Sequence, residues 1–337
     1  MNKREKILGC LVGAAAGDAM GAPTELRTRK QIIECFGGEV TDFVDPPQDT
    51  IGKNNKAGMI TDDFSLAYVT LQTLLERGGT VDEAAAREAL IRWSDHHEWF
   101  DDFVGPTTKA AIDRMRAGDT AARKSALVNE NSKSSDGGAM KIAPVSLLAG
   151  GDVDKAIENA VIICAPTHPN NIAMSGAGAV AAATAAAMQD DADLFRVVKA
   201  GIYGARKAEE LGRAYHENAG PSVEKRIKLA VSIGLTADSL DEAMDEIADV
   251  IGTGLPANEA VPAAFGLLVA SGGNTVDAIR AGVNIGWDTD TVATMCGGIL
   301  GALNGIGSMP PEWLPFLQER NAIDLEQLAD SIFQAIE

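Results

Sequence analysis

Residues 171–188 read Asn-Ile-Ala-Met-Ser-Gly-Ala-Gly-Ala-Val-Ala-Ala-Ala-Thr-Ala-Ala-Ala-Met. A helix built from them has no polar face, so the rest of the chain must surround it. Its side chains are too small to keep neighbours at a distance, which predicts helices packed nearly backbone to backbone. The run Ser175-Gly176-Ala177-Gly178 resembles a fragment of a phosphate-binding loop, but glycine spacing alone is a weak signal, and close helix packing accounts for it better. With 5% aromatic residues, 46% hydrophobic residues and 35 glycines, the chain suits closely approaching helices rather than a sheet of aromatic and β-branched residues.

Helical periodicity recurs over 4–16, 63–77, 82–97, 152–164, 192–211, 223–235, 240–251, 274–284 and 323–336, with apolar residues at i, i+3 and i+4. Asp82, Asp152 and Asp241 stand where helix caps belong, and Pro221, Pro256 and Pro310 mark boundaries. The best strand candidate, Val40 to Val44, is short. No linker, repeat or change of composition divides the chain, so one all-α domain over residues 1–337 is expected.

The formal net charge is −19. Such a surface repels nucleic-acid phosphates and anionic membranes, so neither is expected as a partner. Cys10, Cys35, Cys164 and Cys296 show no paired spacing and are expected to be reduced, buried thiols. Ile7-Leu8-Gly9 before Cys10 is too short for a secretory apolar region, and no run approaches the roughly 20 apolar residues of a membrane span. A cytoplasmic protein is expected.

Chemistry concentrates in two distant acidic clusters, Thr61-Asp62-Asp63 and Asp288-Thr289-Asp290-Thr291, each opening a helix-like run. Carboxylates and hydroxyls without Cys or His suit a hard divalent cation. Asp288 and Asp290 would lie about 200° apart on a regular helix. They can therefore share an ion only from a cap or loop, with the helix running from about Thr291 through Leu303. Adjacent Asp62 and Asp63 diverge and can serve different ions, as in two-metal sites with ions about 4 Å apart. The competing reading is that either cluster is only a helix cap. Glu25 follows Gly17-Asp18-Ala19-Met20-Gly21 on a predicted loop, placed to act as a general base or substrate clamp.

Two irregular stretches, 36–60 and 129–138, have the character of binding loops. His168 lies between two apolar helices and is read equally as a pocket residue or a packing residue. His96 and His97, beside Trp93, Trp99 and Phe100, are expected to be structural, and His216 to lie on the surface. The acidic run from Asp238 to Asp249 is expected to be a solvated helix face.

Taken in order, these elements resemble the ADP-ribosylglycohydrolase family over nearly the whole chain. The resemblance rests on Gly9-Cys10-Leu11-Val12-Gly13, Gly17-Asp18-Ala19-Met20-Gly21 with Glu25, and Thr61-Asp62-Asp63. It continues through Ser135-Asp136-Gly137-Gly138-Ala139-Met140-Lys141 with Pro144, Thr167-His168-Pro169, Asp288-Thr289-Asp290-Thr291 and Pro310 to Trp313. It implies a single compact multi-helix orthogonal bundle covering residues 1–337. It also implies two Mg²⁺ ions, with Mn²⁺ as the alternative, held by residues matching Thr61, Asp62, Asp63, Asp288, Asp290 and Thr291. Glu25, Asp62 and Asp290 become the expected catalytic residues. Ser135, Asp136, Gly137, Gly138, Met140, His168 and Trp287 become the expected substrate contacts.

The implied reaction is hydrolysis at C1″ of an ADP-ribosyl group carried by a protein side chain or a small molecule. The alternatives are hydrolysis of another ribosyl compound, such as a nucleoside-like N-glycoside, and a non-catalytic ADP-ribose-binding or crystallin-like role. Phe64 and Ser65 follow the first cluster where the family usually begins with Thr. Asp136 and Lys141 replace the usual Asn and Arg of the loop, and Trp287 replaces a glycine. These departures spare the expected ligands and bear on the substrate. The sequence leaves the oligomeric state open.

Overall fold

A computed structural model describes residues 2–118 and 130–337, except the side chain of Ser132. Among the described residues there are seventeen α-helices and three short 3-10 helices, and no strand. Every residue of helix Asn171–Ala187 is buried, as its lack of a polar face requires. Its small residues do what the composition predicts. A Cβ on Gly178 would collide with Ala208 of the facing helix, Leu194–Gly212, and one on Gly204 of that helix would run into the Gly178 carbonyl.

The closest packing is between helices Lys3–Gly21 and Thr289–Asn304, far apart in the chain. Gly9 faces Gly301, Gly13 faces Gly297, and Gly17 faces Ala293, each so near that an added Cβ would overlap the opposing backbone. Gly21, at the end of the first helix, meets the backbone of Asp290 in the same way. This ladder of small residues sets where the second acidic cluster sits. Around it the buried apolar side chains form one contiguous core.

Several local expectations are met. Asp82 and Asp152 cap helices through the amides of Ala85 and Lys155. The acidic residues from Asp238 to Asp249 are solvent-exposed. Others are corrected. Helix Leu240–Val250 is capped by Ser239, leaving Asp241 inside the first turn. Val40 to Val44 is no strand; the Asn284 side-chain amide pairs with both the N–H and the carbonyl of Val40. The segment 82–97 divides into helices Glu83–Trp93 and His97–Phe103. Buried Trp93 anchors the break by donating to Ser65 Oγ, and Ser94 Oγ turns back to Ile91 O. Of the four thiols, all free, Cys35 is exposed rather than buried. Asn129, the first residue of the expected 129–138 loop, lies outside the described residues. No helix of the described residues is long and apolar enough to cross a membrane.

The glycine ladder gives a direct test. Gly297→Val should cost about 3 kcal/mol or more, because its Cβ would meet rigid backbone. Gly307→Ala, with open space around it, should leave the melting temperature within about a degree. Equal melting temperatures for the two variants would contradict this packing.

Candidate catalytic centre

Both acidic clusters sit at helix N-termini docked on the last turns of the first helix. Asp18, fully buried inside that helix, accepts hydrogen bonds from Thr61 N (2.9 Å), Thr61 Oγ1 (2.7 Å) and Phe64 N (3.0 Å). It thereby fixes the first turn of helix Asp62–Glu76, whose N-cap is Thr61. On the other side, Thr289 Oγ1 donates to Gly21 O at 3.0 Å and lies 3.0 Å from Thr24 Oγ1. Asp288 is the N-cap residue of helix Thr289–Asn304, which starts two residues before the expected Thr291, so Asp290 lies in its first turn rather than before it. Sequence reasoning passed over Asp18. The signal was a charged residue inside a helix of small apolar residues, which must find partners if buried.

The loops of the site are joined in a row by backbone hydrogen bonds. Leu26 N donates to Trp287 O and Trp287 N to Arg27 O. Asp288 N donates to Thr253 O, Asp136 N to Leu255 O, and Ala257 N to Ser134 O. Segments 134–136, 253–257, 286–288 and 26–28 thus form one wall. At their join Leu26 and Trp287 adopt left-handed backbone, with φ of 62° and 66°. That conformation costs a residue other than glycine about 1–3 kcal/mol.

Seven carboxyl groups meet here: Asp18, Glu25, Asp62, Asp63, Asp136, Asp288 and Asp290. Asp63, Asp136, Asp288 and Asp290 are buried, whereas Glu25 and Asp62 are half-buried toward the mouth. Burial, then the negative charges of Asp288, Asp62 and Asp18, pushes Glu25 up to about 8. Burial followed by Asp18 raises Asp62 to about 8. Burial and neighbouring carboxylates lift Asp63, Asp136 and Asp290 well above the usual range. Asp18 reaches about 6, because burial outweighs its three donors. The buried cation in their midst is Lys141, near Asp62 and Cys164, and burial lowers its own pKa. Asp63 Oδ2, Asp136 Oδ2 and Asp288 Oδ2 are buried without a hydrogen-bond donor. No three of the described Asp, Glu, His or Cys side chains are gathered into a ready-made cation cage. The hydroxyls of Thr61 and Thr291 are buried beside these carboxyls. The orphaned oxygens are therefore the better guide to what the site accepts.

Ser135 Oγ lies 2.9 Å from His168 Nε2, and His168 Nδ1 lies 2.8 Å from Thr167 Oγ1. Burial, then Lys141, holds the imidazole down to about 3, so it is neutral. Gly137 leaves room for the His168 ring, and Gly138 for Cys164 Sγ. Met140 lies in the apolar core. Trp287 is 58% exposed. Outside the site, His96 Nδ1 and His97 Nδ1 each lie 3.3 Å from a carboxylate oxygen, of Glu98 and Asp101, and the His96 ring packs on Trp99. His216, expected at the surface, is half-buried, with Nε2 enclosed. Beyond Glu25 opens a cleft of about 410 Å³ lined by Glu25, Leu26, Arg27, Gln31, Glu34, Cys35 and Asp49.

A profile of the ADP-ribosylglycohydrolase family matches residues 1–337. The uncharacterized protein YegU of Escherichia coli (strain K12) is 31% identical over 340 residues, covering 98% of this chain and 97% of its own. The ADP-ribosylhydrolase ARH3 of Homo sapiens is 25% identical, with 97% and 93% covered. The ADP-ribosylarginine hydrolase Tri1 of Pseudomonas putida (strain GB-1) is also 25% identical, with 92% and 73% covered. The fold matches a solved ADP-ribosylglycohydrolase-related protein with a TM-score of 0.71 at 22% identity, over 99% of each chain. With its all-α architecture and its whole length matched, the chain belongs to the ADP-ribosylglycohydrolase family and is a hydrolase of glycosyl bonds.

Proposed function

We propose that the protein hydrolyses the glycosidic bond at C1″ of an ADP-ribosyl group, using two divalent cations, Mg²⁺ or alternatively Mn²⁺. The observation that carries this is the pair of buried carboxylate oxygens without donors on Asp63 and Asp288, beside two threonine hydroxyls. Thr61, Asp62, Asp63, Asp288, Asp290 and Thr291 are the residues that would hold the ions. When bound, such ions supply Lewis acidity and a water of lowered pKa.

The chain's own groups do the remainder. In the field of its neighbours Glu25 keeps its proton up to about pH 8. With that field neutralised, its carboxylate takes the proton of the attacking water. Asp62, facing the mouth, and Asp290 place negative charge around an anomeric carbon of oxocarbenium character. Burial, and then the charge of Asp288, holds the Asp136 carboxyl well above the usual carboxylate range, on the loop beside the second acidic cluster. Neutral His168 orients Ser135 at the loop that meets the substrate.

A hydrolysis screen tests the reading directly: ADP-ribosyl-arginine, ADP-ribosyl-serine, O-acetyl-ADP-ribose and simple ribonucleosides, with Mg²⁺. Release of ADP-ribose from one of the first three is the expected result, and turnover of ribonucleosides alone contradicts it. Asp62→Ala and Asp290→Ala should each lower turnover by about a thousandfold or more while the cation-free protein melts no lower than wild type. Wild-type turnover in either variant would remove these residues from the mechanism.

The raised carboxyls, Asp18, Glu25, Asp62, Asp63, Asp136 and Asp290, give a pH signature. Their folded pKa values lie above the roughly 4 of an unfolded chain. The stability they contribute is thus fully present below about pH 4 and lost as pH rises through about 8. Cation-free protein should melt progressively lower from about pH 5.5 to pH 8, and about 5 mM Mg²⁺ should raise and flatten that curve. A flat cation-free curve, unmoved by Mg²⁺, would count against both the repulsion and the cation site.

A further inference from the structure

We propose that Trp287 is a specificity-determining residue: its indole is the surface on which a flat, positively charged leaving group stacks, so the site selects N-linked guanidinium over O-linked alkyl leaving groups. This rests on the reading of the centre as an ADP-ribosyl hydrolase. Trp287 is the most exposed large apolar residue among those described, at 58%. It nevertheless occupies a left-handed backbone position that favours glycine, directly before Asp288. Neither exposure nor backbone preference accounts for an indole there.

The position of the indole is defined. Its Nε1 edge lies against Gly254, so that a Cβ on Gly254 would stand 3.1 Å from Nε1 and 3.2 Å from Glu259 Oε2. Its main chain is paired on both sides, to Leu26 and Arg27, which fixes where the side chain leaves the wall. Leu26 and Leu255, also exposed, extend the apolar lip along the wall of joined loops. The surrounding charge is negative. Glu259, 4.0 Å from Arg226, flanks the indole, and in the cleft beyond Glu25, where Arg27 and Asp49 are bound to each other, the charged groups left are the acidic Glu25 and Glu34. A planar cation matches both the ring face and this charge, through stacking and cation–π attraction. A tetrahedral, neutral serine carbon matches neither. Trp287 directly precedes Asp288 and pairs through its main chain with Leu26, which directly follows Glu25, so it stands at the C1″ end of the site, where the leaving group departs.

The test compares wild type, Trp287→Ala and Trp287→Phe on ADP-ribosyl-arginine and ADP-ribosyl-serine with Mg²⁺. Trp287→Ala should lower kcat/KM for the arginine substrate by about tenfold while changing the serine substrate less than about twofold. Trp287→Phe should retain most of the preference, and all three proteins should melt alike. Equal losses on both substrates, no loss on either, or a wild-type preference for the serine substrate would overturn the proposal. A wild type that cleaves neither would overturn the reading of the centre itself.

Discussion

Two helices nearly three hundred residues apart in sequence touch backbone to backbone, and the candidate catalytic centre depends on that contact. The rungs Gly9–Gly301, Gly13–Gly297 and Gly17–Ala293 end at Gly21 against Asp290, so the last turns of the first helix and the start of the last long buried helix are held in one fixed relation. Asp18, one residue past the Gly17 rung, then reaches sideways to bind Thr61 and the amide of Phe64. One helix thereby positions both acidic clusters, and its continuation puts Glu25 at the mouth. Small residues are required because the centre is built from helix ends, which must approach closely to bring short Asp and Thr side chains together.

The cost of that arrangement is a concentration of buried negative charge. Seven carboxyls press on one another with Lys141 as the buried cation among them, and three of their oxygens have no donor. A fold tolerates such a cluster when a partner neutralises it. Protonation serves below neutral pH, and the proposed hard divalent cations, which accept carboxylate and hydroxyl oxygens together, would serve at physiological pH. The raised pKa values and the proposed cation requirement are therefore one electrostatic fact seen from two sides.

Much of this was legible in the sequence. The helix at 171–187 announced its burial through the absence of any polar residue on one face, and the spacing of Asp288 and Asp290 pointed to a helix start, where both are found, although the helix begins two residues earlier than expected. What stayed hidden depended on long-range partners. Val40 and Asn284 satisfy each other across the chain, which no local pattern of residues 40–44 could reveal. Ser239 and Asp241 are both competent caps, and only the helix start decides between them. The roles of Asp18, and of Leu26 and Leu255 beside Trp287, emerge once loops distant in sequence are joined by backbone hydrogen bonds.

The central claim is that the buried carboxylates form a divalent-cation site. Calorimetric titration of chelator-stripped protein with Mg²⁺, beside Asp63→Asn and Asp290→Asn variants, addresses it most directly. The account predicts saturable binding of about two ions per chain in the wild type and loss of at least one in each variant. Absence of saturable binding at millimolar Mg²⁺ and Mn²⁺, or identical binding by wild type and both variants, would contradict it.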